Sequence, residues 1–249
     1  LRGDMIGTGP YDSLREYVEA IEEHGKLIRI DEIDQDAYEL TGFMYKLLDK
    51  HGWLGAPAVI VERVKIDGEW MQGPILINQY GMGGHEALVV GVPIDEIDPE
   101  DHILNYKKSL EKMLNEVPIE PKKTKEVKAS NAPSKEVILK GDEIDILSFP
   151  FIQTNPADNG RFINTGNLIT IDPDGGRNVG TYRMQIKGPR KIGISPERNQ
   201  DGWKALMAHK EAGETHANVA VVLGTDPIVF AMSSSKTARS GQDELEIAG

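Results

Sequence analysis

The 249 residues contain no cysteine, which excludes disulfides, thiolate metal sites and cysteine nucleophiles. No apolar run approaches the length needed to cross a bilayer, and the amino terminus, LRGDMIGTGPYD, lacks the basic-then-apolar pattern of a secretory signal. The simplest compartment to expect is therefore the cytoplasm. Positive charge is also scarce: 28 Lys and Arg stand against 40 Asp and Glu, a net charge of −12. That balance argues against nucleic acid or an anionic membrane as a partner, because phosphate binding needs clustered bases. Lysines gather between Lys107 and Lys128, but Glu111, Glu116, Glu120 and Glu126 are interleaved, so the stretch reads as a solvated helix and linker. There is no internal repeat or low-complexity tract. The chain starts at Leu1 rather than Met, and a fragment of a longer polypeptide is expected.

What remains is an ordinary globular composition, 39% hydrophobic and 27% charged, long enough for one large domain or two smaller ones. Leu14, Val18 and Ile21 fall on one face of a predicted helix from Tyr11 to His24, capped by Asp12 or Ser13 and closed by Gly25. A short strand at Leu27–Ile30 follows. A second helix, Asp36 to His51, carries an apolar stripe of Leu40, Phe43, Met44, Leu47 and Leu48 and stops at Gly52. Strands are expected at Ala58–Val61 and Ile75–Ile77. Gly81-Met-Gly-Gly-His lacks the spacing of a dinucleotide loop and reads as a turn, with His85 packed or on the surface. Asp98-Pro99 suggests a third helix ending near Glu116. From Pro118 to Pro133 apolar periodicity fades. Beyond it the texture is β-rich: Val137–Leu139, Phe162–Ile171, Val179–Ile186, Lys191–Ile194 and Ala217–Leu223, with a helix at Trp203–Ala212. The expectation is an α+β chain with an N-terminal α/β domain over residues 1–128 and a β-rich domain over 129–249.

The stretch with most chemistry is Asp158 to Gln185. Two strand-like runs are joined by Asp172-Pro-Asp-Gly-Gly, the composition of a hairpin turn. Gly180 leaves one spot of its strand uncovered, where a backbone or a flat ligand could approach. Asn178 offers an amide, and Arg183 a planar five-donor fork for carboxylate or phosphate. Five residues apart in a regular strand, these two point to opposite sides. They share a site only if Asn178 belongs to the turn or a bulge intervenes.

Asp158-Asn-Gly-Arg-Phe-Ile, Leu168-Ile-Thr-Ile-Asp-Pro and Arg177-Asn-Val-Gly-Thr-Tyr-Arg-Met-Gln resemble the signature of the UbiD family of reversible decarboxylases. Gly141-Asp-Glu-Ile-Asp-Ile-Leu, Leu223-Gly-Thr-Asp-Pro and Asp243-Glu-Leu-Glu-Ile-Ala-Gly extend the likeness in the same order. The resemblance implies that residues 129–249 are the first part of a split β-barrel that binds prenylated FMN, without the C-terminal oligomerisation domain. It also implies a divalent metal, Mn2+ or Mg2+, on the flavin phosphate, with K+ nearby. Asn178 and Glu244 match two of the family's metal ligands, and oxygen donors of this kind suit hard cations. The family's third ligand, a His, has no counterpart. Alignment puts Asn199 there, able to ligate through its amide oxygen, or Arg198, which would bind phosphate directly; His209 and His216 lie outside the motif. Ser234, Ser235 and Lys236 match the segment lining the flavin and its phosphate, and Gly180, Thr181 and Tyr182 the backbone beside the flavin ring.

Arg183 matches the catalytic arginine, which works with two glutamates in a Glu-Gly-Pro-Phe-Gly-Glu type motif that this chain does not contain. The implied activity is decarboxylation of an aromatic or α,β-unsaturated carboxylic acid, or carboxylation by carbon dioxide in reverse, within a homo-oligomer or a carboxylase complex. Two other readings fit the same residues: a flavin reductase-like oxidoreductase binding plain FMN, and a non-catalytic subunit of a carboxylase complex.

Overall fold

The computed structural model describes residues 7–116, 121–235, 238 and 242–249. Helix α1 (Leu14–Glu23) begins at Ser13, whose hydroxyl accepts the Glu16 N–H at 3.1 Å. Strand β1 (Leu27–Asp34), helix α2 (Glu39–His51) and strand β2 (Ala58–Ile66) form a parallel β-α-β unit. Strand β3 (Glu69–Ile77) returns antiparallel to β2. Both strands are longer than expected because Asp67-Gly68 makes a two-residue turn with both residues at positive φ, the geometry Asp-Gly favours in hairpins. The Asp36 carboxylate accepts both of their N–H groups at 2.8 Å. Leu40 and Leu47 of α2 pack with Val59, Val61 and Val64 in one cluster, and Tyr17, Ala20 and Ile21 of α1 with Ala58 in another. Burying each such large side chain contributes about 1.5–3 kcal/mol.

Two expectations here change. Gly81–His85 is not merely a turn but opens helix α3 (Gly83–Val89). A Cβ on Gly83 would lie 1.9 Å from the His102 carbonyl oxygen, so the glycine permits close packing of α3 on α4 (His102–Glu116). Helix α4 starts at His102, not at Pro99. Asp98 instead accepts the N–H groups of Glu100 and Asp101 at 2.8 and 2.9 Å in a turn, and Asp101 caps the helix by accepting the Leu104 N–H at 2.8 Å. Part of the expected linker from Pro118 onward lies outside the described residues.

Strands β4 (Phe162–Ile171) and β5 (Arg177–Gly188) form the predicted hairpin, closed where the Asp172 N–H reaches the Gly176 carbonyl at 2.8 Å. Adding β6 (Lys191–Ile194) and β7 (Val219–Val222) gives an antiparallel sheet of order β6-β5-β4-β7. The fold is thus α+β, an α/β module followed by an antiparallel sheet. Val137–Leu139, expected as a strand, is not one, and all three residues are exposed. Helix α5 (Asp201–Glu211) matches its expected span to within two residues, while α6 (Pro227–Ser234) and α7 (Glu244–Ala248) add helices the apolar pattern did not disclose. Ile152 joins the core of the first sheet, and the side chains of Gln35 and Thr41 donate to the carbonyls of Gln153 and Thr154 at 2.8 Å. The segment leading into β4 is thereby stitched to α2 and its approach.

Tyr182 docks α5 on this second sheet. Its hydroxyl accepts the Gly202 N–H at 3.0 Å, and its ring fills the space over two glycines: a Cβ on Gly180 or Gly202 would come within 2.6 or 2.5 Å of it. The Cβ side of Gly180 is therefore covered by the Tyr182 ring. Gly202→Ala is expected to cost about 1–3 kcal/mol by overpacking, although Ala is the better helix former by roughly 1 kcal/mol. Part of that loss should return in a Tyr182→Phe, Gly202→Ala double variant when urea melts are compared.

His85 is fully buried, accepting the Met82 N–H at Nδ1 (3.2 Å) and donating from Nε2 to the Lys26 carbonyl (2.9 Å). Burial lowers its pKa to about 4, with Lys26 and His102 adding repulsion. An unfolded His takes up its proton near pH 6.5, so this residue's contribution is complete above that pH. It is lost as pH falls towards 4, by up to about 3 kcal/mol. Urea midpoints should fall across that window, and the slope should flatten in His85→Gln; a slope untouched by the substitution would contradict the assignment.

Candidate functional site

Strand β6 pairs only with Met184 to Gly188, so among the described residues no strand covers the far edge of β5 from Arg177 to Arg183. A bare edge presents unpaired backbone N–H and C=O groups. Along it runs a cleft of about 640 Å³. The described lining includes Asn178, Gly180, Thr181, Tyr182, Asn199, Ser234, Ser235 and Glu244, together with Val179, Glu197, Gln200, Asp201, Ser233 and Ala238. Eight of the residues singled out in the sequence thus meet in one place. Arg198 is exposed and outside the lining, and Lys236 lies outside the described residues.

The cleft is closed by α7. Its N-cap Asp243 accepts the Leu245 N–H at 2.9 Å and pairs with Arg177, whose Nε donates to Oδ2 at 2.7 Å. One residue on, the Glu244 carboxylate accepts the Val179 N–H of the bare edge at 2.8 Å. Burial raises the pKa of Glu244, and Asp243 and Asp201 add to the rise against the lowering effect of that N–H. Asn178 and Glu244 therefore line the same space from two elements distant in sequence.

The floor is a buried hydroxyl and amide network. Asn167, buried in β4, donates from Nδ2 to Ser233 Oγ (2.6 Å) and Thr181 Oγ1 (2.9 Å), and its Oδ1 accepts from Thr225 at 2.8 Å. Ser234 donates to Thr181 Oγ1 at 3.0 Å. Asp226 caps α6 by accepting the N–H groups of Ile228 and Val229 at 3.1 and 3.0 Å, with Pro227 at the first helical position, which fixes the serines at the helix end. Asn167 was missed by the sequence reading, whereas Ser233 belongs to the Ser233-Ser-Ser-Lys run that already offered its hydroxyls. The available signal was a polar Asn inside an otherwise apolar strand, which needs internal partners.

Arg183 does not join this cleft. A bulge exists, but in β4: Ile163 faces Met184 and Gly166 faces Tyr182, so Asn164 and Thr165 together oppose Arg183 and β5 keeps its alternation. The side chain lies over the Phe162 ring, 4.0 Å from its centroid. Its Nε donates to Asn164 Oδ1 at 2.9 Å, Nη1 to Asp158 Oδ1 at 2.9 Å, and Nη2 to Asp158 Oδ2 and, at 3.4 Å, to Thr154. The open fork expected from the sequence is therefore occupied by Asp158, a residue of the motif whose role the sequence did not disclose. The Arg183 hydrogen bonds hold the Asp158 carboxyl below its usual pKa. His209, held by the Ile171 carbonyl and Glu214, lines a separate cleft with His216.

The described lining carries three carboxylates, of Glu197, Asp201 and Glu244, and no basic side chain. Among the described residues no three His, Asp or Glu side chains converge as a metal-holding group. Asn178 supplies a further polar group: its amide Nδ2 is buried without a hydrogen-bond partner. Amide nitrogen and oxygen are interchangeable in assignment, so the unpartnered atom fits an oxygen ligand to a hard cation. An anionic phosphate among these carboxylates would be favoured by a cation beside it, whether a metal ion or a basic side chain.

The sequence profile of the UbiD 3-octaprenyl-4-hydroxybenzoate carboxy-lyase Rift-related domain matches residues 125–249. The phenolic acid decarboxylase of Escherichia coli O157:H7 is 28% identical over 248 residues, covering 96% of this chain and 48% of that protein. The closed form of vanillic acid decarboxylase from Sedimentibacter hydroxybenzoicus superposes with a TM-score of 0.77 at 27% identity, over 96% of this chain and 48% of that one. The UbiD-class enzyme HmfF from Pelotomaculum thermopropionicum, in an evolved dimeric form with prFMN, gives 0.73 at 28%, over 96% and 50%. The chain spans about half the length of the curated relatives it matches. With the motifs, the likeness to the solved structures and the profile in agreement, the chain belongs to the UbiD family.

Proposed function

We propose that the protein is a prenylated-FMN-dependent reversible decarboxylase of an aromatic or α,β-unsaturated carboxylic acid, with residues 129–249 forming part of its cofactor site and residues 1–128 the scaffold beside it. The observation that carries this reading is the cleft on the bare edge of β5, where the hairpin and α7 bring Asn178 and Glu244 together. In decarboxylation the carbon–carbon bond to the carboxylate breaks, carbon dioxide leaves, and a proton takes its place on carbon. Prenylated FMN, when bound, supplies the electron sink for the pair left on that carbon.

The chain's own residues hold and orient. The edge of β5 offers backbone groups to the rim of a flat heterocycle, while Thr181, Ser234 and Ser235 offer hydroxyls. Asn178, Glu244 and Asn199 would hold Mn2+ or Mg2+, with K+ as a second cation, and either divalent ion would offset the phosphate against the surrounding carboxylates. Arg183 is the candidate catalytic residue, and the proton donor is assigned to a glutamate outside residues 1–249. A homo-oligomeric or complex-bound state is part of the same proposal, by analogy with the dimeric HmfF form.

The test is reconstitution of the full-length protein with prenylated FMN, followed by labelled carbon dioxide exchange on a panel of aromatic and acrylic acids. Exchange with at least one acid is expected; none, with cofactor bound, overturns the reading. Glu244→Ala is expected to weaken binding of FMN with Mn2+ by at least about tenfold, the lower end of what loss of a supporting group costs a metal site. Flavin fluorescence titrations with and without Mn2+ read this. Glu244→Gln keeps an acceptor for the Val179 N–H but loses the charge, and should weaken the Mn2+ dependence.

A further inference from the structure

We infer that Asp158 is a positioning residue for Arg183, and that its carboxylate occupies the fork an incoming acid would otherwise take; the inference rests on the decarboxylase reading. A guanidinium has five N–H donors. Asp158 takes one from each terminal nitrogen, Asn164 takes Nε and Thr154 the second on Nη2, which leaves one N–H on Nη1. The plane is fixed from below by the Phe162 ring. Asp158 is 15% exposed against 44% for Arg183, so an incoming group reaches the arginine more readily than its partner.

Asp158 is itself held. Thr154 Oγ1 donates to its Oδ2 at 3.3 Å, its N–H reaches the Asn155 carbonyl at 2.9 Å, and Gln153 Nε2 reaches its own carbonyl at 2.8 Å. The same short loop is tied to the first module through Thr41 and Gln35. The direction of the Arg183 donors is therefore set by an anchor that runs back to α2. With Arg183 this exposed, the pair adds little to stability; its effect is on geometry, because a paired fork is directional where a single contact is not.

A substrate carboxylate must bind through the remaining N–H or displace Asp158, and two carboxylates on one arginine repel. Removing Asp158 should then capture acids more tightly while aligning them worse. The experiment uses full-length holoprotein, with benzoate and benzamide as probes, their binding followed by the flavin absorbance. Asp158→Asn and Asp158→Ala are expected to bind benzoate about tenfold more tightly, with benzamide unchanged, as for a change in one charge-assisted pair. On any acid the wild type converts, kcat should fall at least about tenfold with KM lowered. Asp158→Glu, which keeps the charge, should return benzoate affinity towards wild type. Benzoate and benzamide moving together, or benzoate binding unchanged at full flavin content, overturns the inference. If the wild type converts no acid, the decarboxylase reading fails, and the benzoate and benzamide comparison alone still decides the role of Asp158. Asp158→Asn, equal in shape to Asp158, carries the test if Asp158→Ala does not fold.

Discussion

The site depends on one juxtaposition: the Glu244 carboxylate receiving the Val179 N–H, braced one residue away by the Arg177–Asp243 pair. Strand β6 is too short to cover this part of β5, and α7 takes its place at the edge without pairing as a strand. A helix end can satisfy one edge donor through a side chain and leave the neighbouring groups accessible, which a further strand would not. The result is a sheet edge that is both terminated and open. Three carboxylates around it make a cation the natural complement of any anionic ligand there.

Much of this was legible in the residues. The period-two runs and the Asp-Pro-Asp-Gly-Gly turn located the central hairpin to within a residue or two, because turn chemistry and β patterning agree there. Alternation correctly separated Asn178 from Arg183, and the bulge that could have reunited them sits in the partner strand, where it leaves the phase of β5 unchanged. The juxtaposition of Asn178 with Glu244 came from family resemblance alone. No local pattern reports a contact between residues so far apart in sequence.

The misreadings have local causes. Asp-Pro occurs three times; beside the hairpin turn at Asp172, the same pair is a turn at Asp98 but a helix cap at Asp226, a difference settled by which N–H groups the carboxylate can reach. Val137–Leu139 has strand composition without a neighbouring edge, and β propensity expresses itself only against a partner. Gly180 was read as room for a backbone or a flat ligand; Tyr182, two residues along the same face, takes its Cβ side, while Gly180 still lines the cleft. Arg183 was read as a free fork because sequence shows a donor set without showing who already holds it.

The two contacts that close the cleft join residues 65 and 66 positions apart, with β6, α5, β7 and α6 between them. Closing a loop of that length costs chain entropy before any contact rewards it, and such long-range pairings slow the folding reaction. The hairpin, being local, is expected to form early. The pocket mouth would then be among the last features to assemble, and cofactor capture would report the end of folding rather than its beginning.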